Sequence, residues 1–566
     1  MKFSEMPYAR PDAAAVKTEL ASLTAAFRAA KSFDEADGLF VKEDRLDRHI
    51  DTLYNLSYIR HSIDTRDEFY SGEAAFWDET LPTLQEALQP WVLALLESPY
   101  RKELEEKYGK VPFVNAEIRL RSFTPALVPL MQEENALTTE YEKLLASAKI
   151  PFEGKTYTLS QLSPCKSDPD DDRRLAAWKA EGQWYMDNAD KLDGIYDRLV
   201  KLRTEEGKLL GHENFVPLGY DRMERNCYDK TDVARFREAV VKYLVPIADS
   251  VYRAQAKRLG KAYPMTYADN ALMFRSGNPK PAGSPDEIVA EAQKLYDALS
   301  PETSEFFTVM RERELMDLLS TEGKEAGGYC TSIHDYEVPF IFANFNGTAD
   351  DVETVTHEAG HAFAGWLNRR RVPSSTVWPS LEACEVHSMS MEFFAWQNTD
   401  GFFGKDARKF FYSHLAGAVR FIPYGTLVDH FQHSVYEHPE MTPAERHAEW
   451  ARLSGVYMPW ARLEEIPFYG DGRAWQRQHH IYSSPFYYID YCLAQTVALE
   501  FWARRLDDPE KAWQTYMDYT AAGGSLTFTD LLAHAGLESP FDGNCLKHIC
   551  EKAKAWLEAY DLDGIE

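Results

Sequence analysis

Two histidines that stand four residues apart, His357 and His361, constrain the fold of this chain more than any other feature. At this spacing both imidazoles project from the same face of an α-helix, one turn apart. The flanking residues fit such a helix, because Thr348 followed by Asp351 is typical of an N-cap with an acidic first turn. The sequence therefore predicts a helix over residues 349–371.

Two imidazoles on one helix face can bind a single metal ion, with Zn²⁺ about 2.0–2.1 Å from each nitrogen. Glu358 lies beside that face, where its carboxylate could hold a water molecule and accept its proton. The alternative is a surface helix with two unrelated histidines. The chain has 16 histidines, and a chance H-E-x-x-H is expected in only roughly a few per cent of such chains.

A third metal ligand is expected from the segment at 381–396, LEACEVHSMSMEFFAW. Helical spacing places Glu385 and Glu392 on one face of it. Glu385 is the predicted ligand, whereas Glu382, one turn earlier, is the competing ligand or an outer carboxylate, and His387 points elsewhere. Glu392 is expected to accept the free N–H of a metal-binding imidazole and so to fix its tautomer.

Apolar residues recur mostly at helical spacing, which predicts a mainly α fold. The clearest strand is VPFIFANF, just before the motif helix, and its proline suggests an edge strand or a strand start. Because one core serves roughly 250–300 residues, we expect two regions, 1–205 and 206–566, with the motif helix in the second. The segment 273–287 is predicted to be a loop, with a helix restarting at Ser284.

Composition excludes several classes of protein. Hydrophobic residues make up 45% and charged residues 27%, and no stretch is apolar enough to span a bilayer. The net charge of −28 argues against nucleic-acid and membrane-surface partners. No export signal is visible, so we expect a cytoplasmic protein with its seven cysteines reduced. Cys545, His548 and Cys550 could bind a metal, but packing residues on a terminal helix are the better interpretation.

Four further motifs are spread over the chain: PLGYDRM at 217–223, GGYC at 327–330, PFIFANFNGT at 339–348 and HIYSSPFYYIDY at 480–491. Together with the two helices, they resemble the thimet oligopeptidase and oligoendopeptidase F family of zinc metallopeptidases, and most closely its PZ-peptidase branch. The resemblance implies one zinc ion on His357, His361 and Glu385, with Glu358 as the general base. It also implies two helical lobes that enclose a deep channel, with a small β-sheet beside the zinc helix.

The same resemblance assigns roles to the distal aromatic run. Tyr488 and Tyr491 are the leading hydrogen-bond donors to the developing oxyanion. His480 and Tyr482 would contact the substrate or assist them, and the adjacent His479 makes the register uncertain by one residue. From the residues alone, an aromatic run is more often core packing.

Peptide binding is expected along the strand before the motif helix, through backbone pairing at Phe342, Ala343 and Asn344. Gly327 and Gly328 would permit close approach of a peptide, although a tight turn explains them equally well.

The predicted function is a zinc endopeptidase that cuts short unstructured peptides, including Pro- and Gly-rich collagen-derived ones if the PZ-peptidase resemblance holds in detail. One alternative is a zinc carboxypeptidase or dipeptidyl carboxypeptidase, which would need a clamp from Arg369, Arg370, Arg371 or Arg473. Another is a noncatalytic peptide-binding protein, against which the presence of Glu358 argues.

Overall fold

The structure is a computed structural model that describes residues 1–565, and most of the chain is α-helical. This confirms the predicted mainly α fold. The helices are, in chain order, α1 (Ala13–Arg28), α2 (Phe33–Ile63), α3 (Glu68–Leu96), α4 (Arg101–Tyr108), α5 (Val111–Arg121), α6 (Val128–Ala146), α7 (Leu159–Lys166), α8 (Asp171–Asp187), α9 (Ala189–Leu209), α10 (Val216–Arg222), α11 (Lys230–Ala239), α12 (Val245–Leu259), α13 (Tyr267–Asn270), α14 (Pro285–Leu299), α15 (Pro301–Glu312), α16 (Asp350–Asn368), α17 (Leu381–Phe394), α18 (Thr399–Phe403), α19 (Ala407–Glu437), α20 (Pro443–Tyr457), α21 (His479–Ser483), α22 (Tyr488–Asp507), α23 (Pro509–Ala521), α24 (Phe528–His534) and α25 (Gly543–Ala559).

Two small sheets interrupt the helices. The strands β1 (Ile150–Phe152) and β2 (Lys155–Tyr157) form an antiparallel hairpin. The strands β3 (Met316–Leu319), β4 (Tyr329–Ile333) and β5 (Val338–Phe345) form a second sheet in the order β3-β5-β4. In it, β5 runs parallel to β3 and antiparallel to β4, and it packs against α16. The predicted sheet beside the motif helix is therefore present.

The strand before the motif helix is central, so the expectation of an edge position is wrong. β5 lies between β3 and β4, so neither of its sides is an edge of the sheet. Pro339 is the second residue of β5 and pairs with Ser332 of β4. The proline marks the start of the strand, the other meaning that a proline has in a sheet.

The motif helix α16 begins without the predicted threonine cap. Ala349 occupies the N-cap position, and no side chain caps the helix. Instead the Asp351 carboxylate accepts hydrogen bonds from the backbone N–H groups of Asn346 and Gly347, both at 2.8 Å. The Thr348 hydroxyl donates to the Asn346 side chain at 2.8 Å and accepts no backbone N–H of the helix as a cap. The first-turn carboxylate of Asp351 thus binds the preceding loop to the helix, while the first N–H groups of the helix have no side-chain cap.

The helix α17 packs between α16 and α22, and a glycine allows the closest of these contacts. A Cβ atom on Gly360 would lie 2.6 Å from Ser388 Cα and 2.7 Å from the His387 carbonyl oxygen. Real Cβ atoms do not approach backbone this closely, so only glycine permits the contact. This contact brings the acidic face of α17 against the histidines of α16.

The predicted loop is confirmed between α13 and α14, at 271–284. Ser284 caps α14 by accepting from the Glu287 N–H at 3.4 Å, while Glu287 accepts from the Ser284 N–H at 2.7 Å.

The main hydrophobic core contains residues on both sides of the predicted boundary at 205/206, and a smaller core, around Trp91 and Phe113, lies within the N-terminal helices. The boundary itself stays a prediction.

Within residues 1–565, no helix combines the length and the apolar character that crossing a membrane requires. All seven cysteines are free, as predicted. Cys545 and Cys550 are fully buried in α25, where they serve as packing residues.

Candidate active site

The three residues predicted to bind metal converge between α16 and α17. Candidate ligand atoms of His357, His361 and Glu385 all lie within 4.8 Å of one another. Glu385 Oε2 is 3.2 Å from His357 Nε2 and 3.3 Å from His361 Nε2. Tetrahedral ligands about 2.05 Å from a zinc ion lie about 3.3–3.4 Å apart. The donor set and the two carboxylate–imidazole distances therefore fit Zn²⁺, and three ligands would leave the fourth tetrahedral position open.

The carboxylate of Glu385, the third predicted ligand, is held in its ionised form and accepts hydrogen bonds from two hydroxyl groups. Burial alone would raise the pKa of Glu385, but His361 and His357 hold it well below its usual range. Tyr487 Oη donates to Glu385 Oε1 at 2.6 Å, and Ser388 Oγ donates to Oε2 at 3.1 Å. The competing acid, Glu382, lies outside this cluster and accepts from Ser380 Oγ at 2.7 Å.

An outer layer of polar groups orients His357. Its Nδ1 lies 2.7 Å from Glu392 Oε1, while His414 Nε2 lies 2.8 Å from Glu392 Oε2. The Trp396 indole N–H donates to His414 Nδ1 at 2.9 Å, so His414 carries its proton on Nε2 and donates it to Glu392. Both oxygens of Glu392 therefore accept N–H bonds, and the Nε2 lone pair of His357 faces the cluster.

The predicted general base is buried and has an oxygen without a partner. Glu358 is 6% exposed, and its Oε2 has no hydrogen-bond partner within residues 1–565. Burial raises its pKa, against the charges of His357 and His361. A Cβ atom on Gly328 would lie 3.3 Å from Glu358 Oε1, so the missing side chain leaves room beside the carboxylate. The unpartnered Oε2 of Glu358 can accept a hydrogen bond from a water molecule.

A strained turn between α21 and α22 aims the distal tyrosines at the cluster. Phe486 has φ of 69°, a left-handed conformation that bulky residues rarely adopt. Its N–H donates to Gln432 Oε1 at 3.1 Å, and its carbonyl accepts from Arg225. The Arg225 guanidinium also pairs with Asp490 at 2.9 Å, with both side chains fully buried. These contacts hold the turn that places Tyr487 against the Glu385 carboxylate.

Three of the predicted distal residues lie together. His480 Nε2 is 3.1 Å from Tyr491 Oη, and the Tyr488 ring lies 5.0 Å from the His480 ring and 5.3 Å from the Tyr491 ring. Tyr482 does not join them. Its ring is fully buried and stacks 3.9 Å from the Tyr141 ring, and its hydroxyl donates to the Leu192 carbonyl at 3.2 Å. The assisting role expected for Tyr482 is therefore corrected to core packing.

The sequence reasoning missed two residues. The first is Tyr487, to which the sequence pattern assigns no role, although its spacing of four from Tyr491 places both tyrosines on one helical face and could identify it. His414 comes from the middle of α19, where a lone histidine among apolar residues carries no recognisable signal.

The predicted peptide-binding residues of β5 are not available to a peptide. Phe342 and Ala343 are fully buried. The Asn344 amide donates to the carbonyl oxygens of Glu325 and Gly327, both at 2.8 Å, and so shapes the loop before β4. The expectation of pairing along β5 is corrected, because the outer strand on this side of the sheet is β4.

A cavity of about 460 Å³ opens beside His479, whose Nε2 lies 3.8 Å from Glu142 Oε1. Aromatic and acidic side chains line one part of it: Tyr54, Tyr58, Trp77, Asp78, Glu142 and Glu325. Glu325 lies three residues before Gly328, and three residues of extended chain span at most about 11 Å. Because Gly328 lies beside the Glu358 carboxylate, the cavity is close to that carboxylate.

Comparison with known proteins identifies the family. The sequence-family model of the Peptidase M3 N-terminal domain matches residues 3–123 of this chain. The sequence-family model of Peptidase family M3 matches residues 292–551. A solved structure of PZ peptidase A with an inhibitor shares 44% sequence identity over 100% of both chains, with a TM-score of 0.98. The chain belongs to peptidase family M3. As an M3 peptidase it is a metalloendopeptidase.

A more distant relative extends the comparison. Oligopeptidase PepF of Bacillus subtilis (strain 168) is 20% identical over 552 residues, which are 91% of this M3 peptidase and 80% of the relative.

Proposed function

We propose that this M3 peptidase is a zinc-dependent oligopeptidase that hydrolyses internal bonds of short, unstructured peptides. The observation that carries the proposal is the convergence of two imidazole nitrogens on one carboxylate oxygen, at 3.2 and 3.3 Å, next to Glu358, whose Oε2 has no hydrogen-bond partner within residues 1–565. His357, His361 and Glu385 would hold the ion. When bound, a zinc ion acidifies water towards a pKa of about 7 and polarises a carbonyl group.

The side chains supply the remaining chemistry. Glu358 takes a proton from the attacking water and passes it to the departing amine, so one carboxylate serves twice. The Tyr491 hydroxyl donates a hydrogen bond to the substrate oxygen on which negative charge develops. Tyr487 keeps Glu385 in its metal-binding orientation through their 2.6 Å hydrogen bond.

Internal cleavage is favoured over carboxypeptidase activity because the candidate clamps are engaged. Each of the four arginines considered for a carboxylate clamp binds a group of the protein. The pairs are Arg369 with the Trp366 carbonyl, Arg370 with Glu337, Arg371 with Asn368 and Arg473 with Asp193. None of the four arginines lines the cavity beside His479 either, so a peptide that enters this cavity meets none of them with its terminal carboxylate.

The peptide is expected to lie along β4, with Gly327 and Gly328 allowing close approach, and to extend into the cavity beside His479. Backbone pairing tolerates many sequences, which suits an enzyme that degrades varied short peptides. Cleavage of Pro- and Gly-rich collagen-derived peptides belongs to the proposal through the likeness to PZ peptidase A. A deep channel between helical lobes and a cytoplasmic location stay predictions.

Metal analysis of Glu358→Gln combined with peptide hydrolysis tests this function. The variant should keep one zinc ion per chain, because Glu358 is not among the proposed ligands. Its kcat should fall about 10²–10⁴-fold, the usual contribution of a general base. Unchanged turnover would overturn the mechanism.

Peptides with free and amidated C-termini separate the endopeptidase from its alternative. We expect equal internal cleavage of both, read from the masses of the products. Cleavage that requires the free carboxylate would replace the proposal by a carboxypeptidase, and zinc binding without any hydrolysis would leave a peptide-binding protein.

A further inference from the structure

A chain of four hydrogen-bonding side chains runs from the half-buried Tyr424 of α19 to the proposed oxyanion donor, Tyr491. Tyr424 Oη donates to Gln478 Oε1 at 2.8 Å. Gln478 Nε2 lies 2.9 Å from His480 Nδ1, and His480 Nε2 lies 3.1 Å from Tyr491 Oη. None of these residues belongs to the metal-binding cluster.

The side-chain amide of Gln478 determines which atom donates in each of the two hydrogen bonds that follow it, to His480 and from His480 to Tyr491. The Nε2 group of Gln478 can only donate, so His480 Nδ1 must accept. Burial lowers the pKa of His480 to about 3, so the imidazole is neutral near pH 7 and carries a single proton. That proton is on Nε2, from which it is donated to Tyr491 Oη. The Tyr491 hydroxyl therefore keeps its own proton for another acceptor.

The opposite orientation of the amide would reverse this arrangement. Gln478 Oε1 would then accept from His480 Nδ1–H, and His480 Nε2 would accept the hydroxyl proton of Tyr491. Tyr491 would lose the proton that the substrate oxygen requires. The two orientations have the same shape but opposite chemical consequences.

A cation at the far end of the chain selects between the two orientations. The Arg477 guanidinium lies 5.6 Å from the centre of the Tyr424 ring, and burial raises the pKa of Tyr424 while Arg477 opposes that rise. A positive charge here attracts the lone pairs of the Tyr424 oxygen and turns its proton away, towards Gln478 Oε1. The amide nitrogen then faces His480.

We propose that Gln478, oriented by Tyr424 and Arg477, is a positioning residue that holds His480 as the Nε2–H tautomer and so keeps the Tyr491 hydroxyl proton available to the substrate oxyanion. This inference rests on the proposed peptidase function and adds to it the group that determines the polarity of the oxyanion donor. Gln478 acts through His480 and Tyr491, without touching the substrate itself.

Gln478→Glu tests the proposal with almost no change in shape. A carboxylate only accepts, so it should take the His480 proton on Nδ1 and reverse the chain. We expect kcat to fall about 10²-fold, up to about 10³-fold, the effect of losing one oxyanion donor, with KM almost unchanged. Tyr491→Phe should lower kcat by a similar factor. The double variant should be no slower than Tyr491→Phe, since both changes remove the same donor.

The pH profile separates this effect from a packing defect. The new carboxylate raises the pKa of the adjacent imidazole, and a doubly protonated imidazole again donates from Nε2. The ratio of Gln478→Glu to wild-type kcat should therefore rise as the pH falls, whereas a ratio constant with pH would refute the proposal. Gln514→Glu, on the exposed face of α23, introduces the same charge elsewhere and should leave kcat and its pH profile unchanged.

A measurement independent of catalysis reports the tautomer directly. In protein labelled with ¹⁵N-histidine, the signal of His480 is assigned by its absence in His480→Gln. We expect the Nε2–H form in the wild type and the Nδ1–H form in Gln478→Glu. An Nδ1–H form in the wild type would overturn the proposal whether or not peptides are cleaved, and a switched tautomer with unchanged kcat would overturn the positioning role. Failure of all hydrolysis in the wild type would instead refute the proposed function.

Discussion

Replacing Glu392 by glutamine should weaken zinc binding although the ligands stay in place. Glu392 accepts two N–H bonds, from His357 Nδ1 at 2.7 Å and from His414 Nε2 at 2.8 Å. Glutamine offers one acceptor oxygen and one NH₂ group, so it opposes a donor with a donor on one side. Neither histidine can adapt, because His414 Nδ1 already accepts from Trp396 and His357 needs its Nε2 lone pair for the ion.

The size of the effect follows from the one bond that is lost. An unsatisfied buried donor costs about 1–3 kcal/mol. Loss of a partner behind a metal-binding histidine typically costs 10–100-fold in affinity, or about 1.4–2.7 kcal/mol. We therefore expect the zinc dissociation constant of Glu392→Gln to rise about 10–100-fold, with the histidine ligands intact.

A competition titration against a zinc chelator, starting from metal-free protein at neutral pH, measures this constant. Glu382→Gln is the matched control, because Glu382 lies on the same helix but outside the cluster. It should bind zinc as the wild type does. Wild-type affinity in Glu392→Gln would refute the argument that both oxygens are needed, and weaker binding in Glu382→Gln than in Glu392→Gln would move the metal site along α17.

The other predictions concern the groups around the cluster. Tyr487→Phe removes the 2.6 Å hydrogen bond to the carboxylate ligand and should weaken zinc binding about 10-fold in the same titration, and an unchanged constant would contradict the contact. Gly328→Ala places a Cβ atom 3.3 Å from Oε1 of Glu358, the proposed general base, so it should lower kcat while zinc is retained. Gly455→Ala, which meets no atom within 4 Å, should leave kcat unchanged. His480 has a pKa of about 3 and stays neutral above it, so His480→Gln should lower kcat without moving the apparent pKa values between about pH 5 and 8. A shifted acidic limb would show that His480 titrates there.

The sequence was most informative where one helix carries the chemistry. The helical repeat alone places His357 and His361 on one face of their helix, and it places Glu385 and Glu392 on one face of theirs. In the structure the two histidines face the Glu385 carboxylate, and Glu392 Oε1 lies 2.7 Å from His357 Nδ1. Their roles towards a metal ion stay predictions. The mainly α fold follows from the same periodicity, which recurs along most of the chain.

A sequence pattern cannot decide which of several neighbouring aromatic residues faces the metal cluster. Successive residues of a helix point about 100° apart, so the choice among Tyr482, Tyr487 and Tyr488 depends on which face meets the metal cluster. The strained turn at Phe486 decides that choice, because it directs Tyr487 to Glu385, while Tyr482 turns into the core. Strand order is a similar case, since the residues of β5 do not reveal that it has neighbours on both sides.

By itself, then, the sequence determined the residues that depend on a single helix: the two histidines, Glu358 between them and the acids of α17. Only the tertiary structure decided how these helices meet, through the close contact at Gly360, and which distant groups complete the site, namely Tyr487 and His414. The physical reason is that helical geometry relates residues a few positions apart. Contacts between residues far apart in the chain depend on how whole faces pack, which no local spacing specifies.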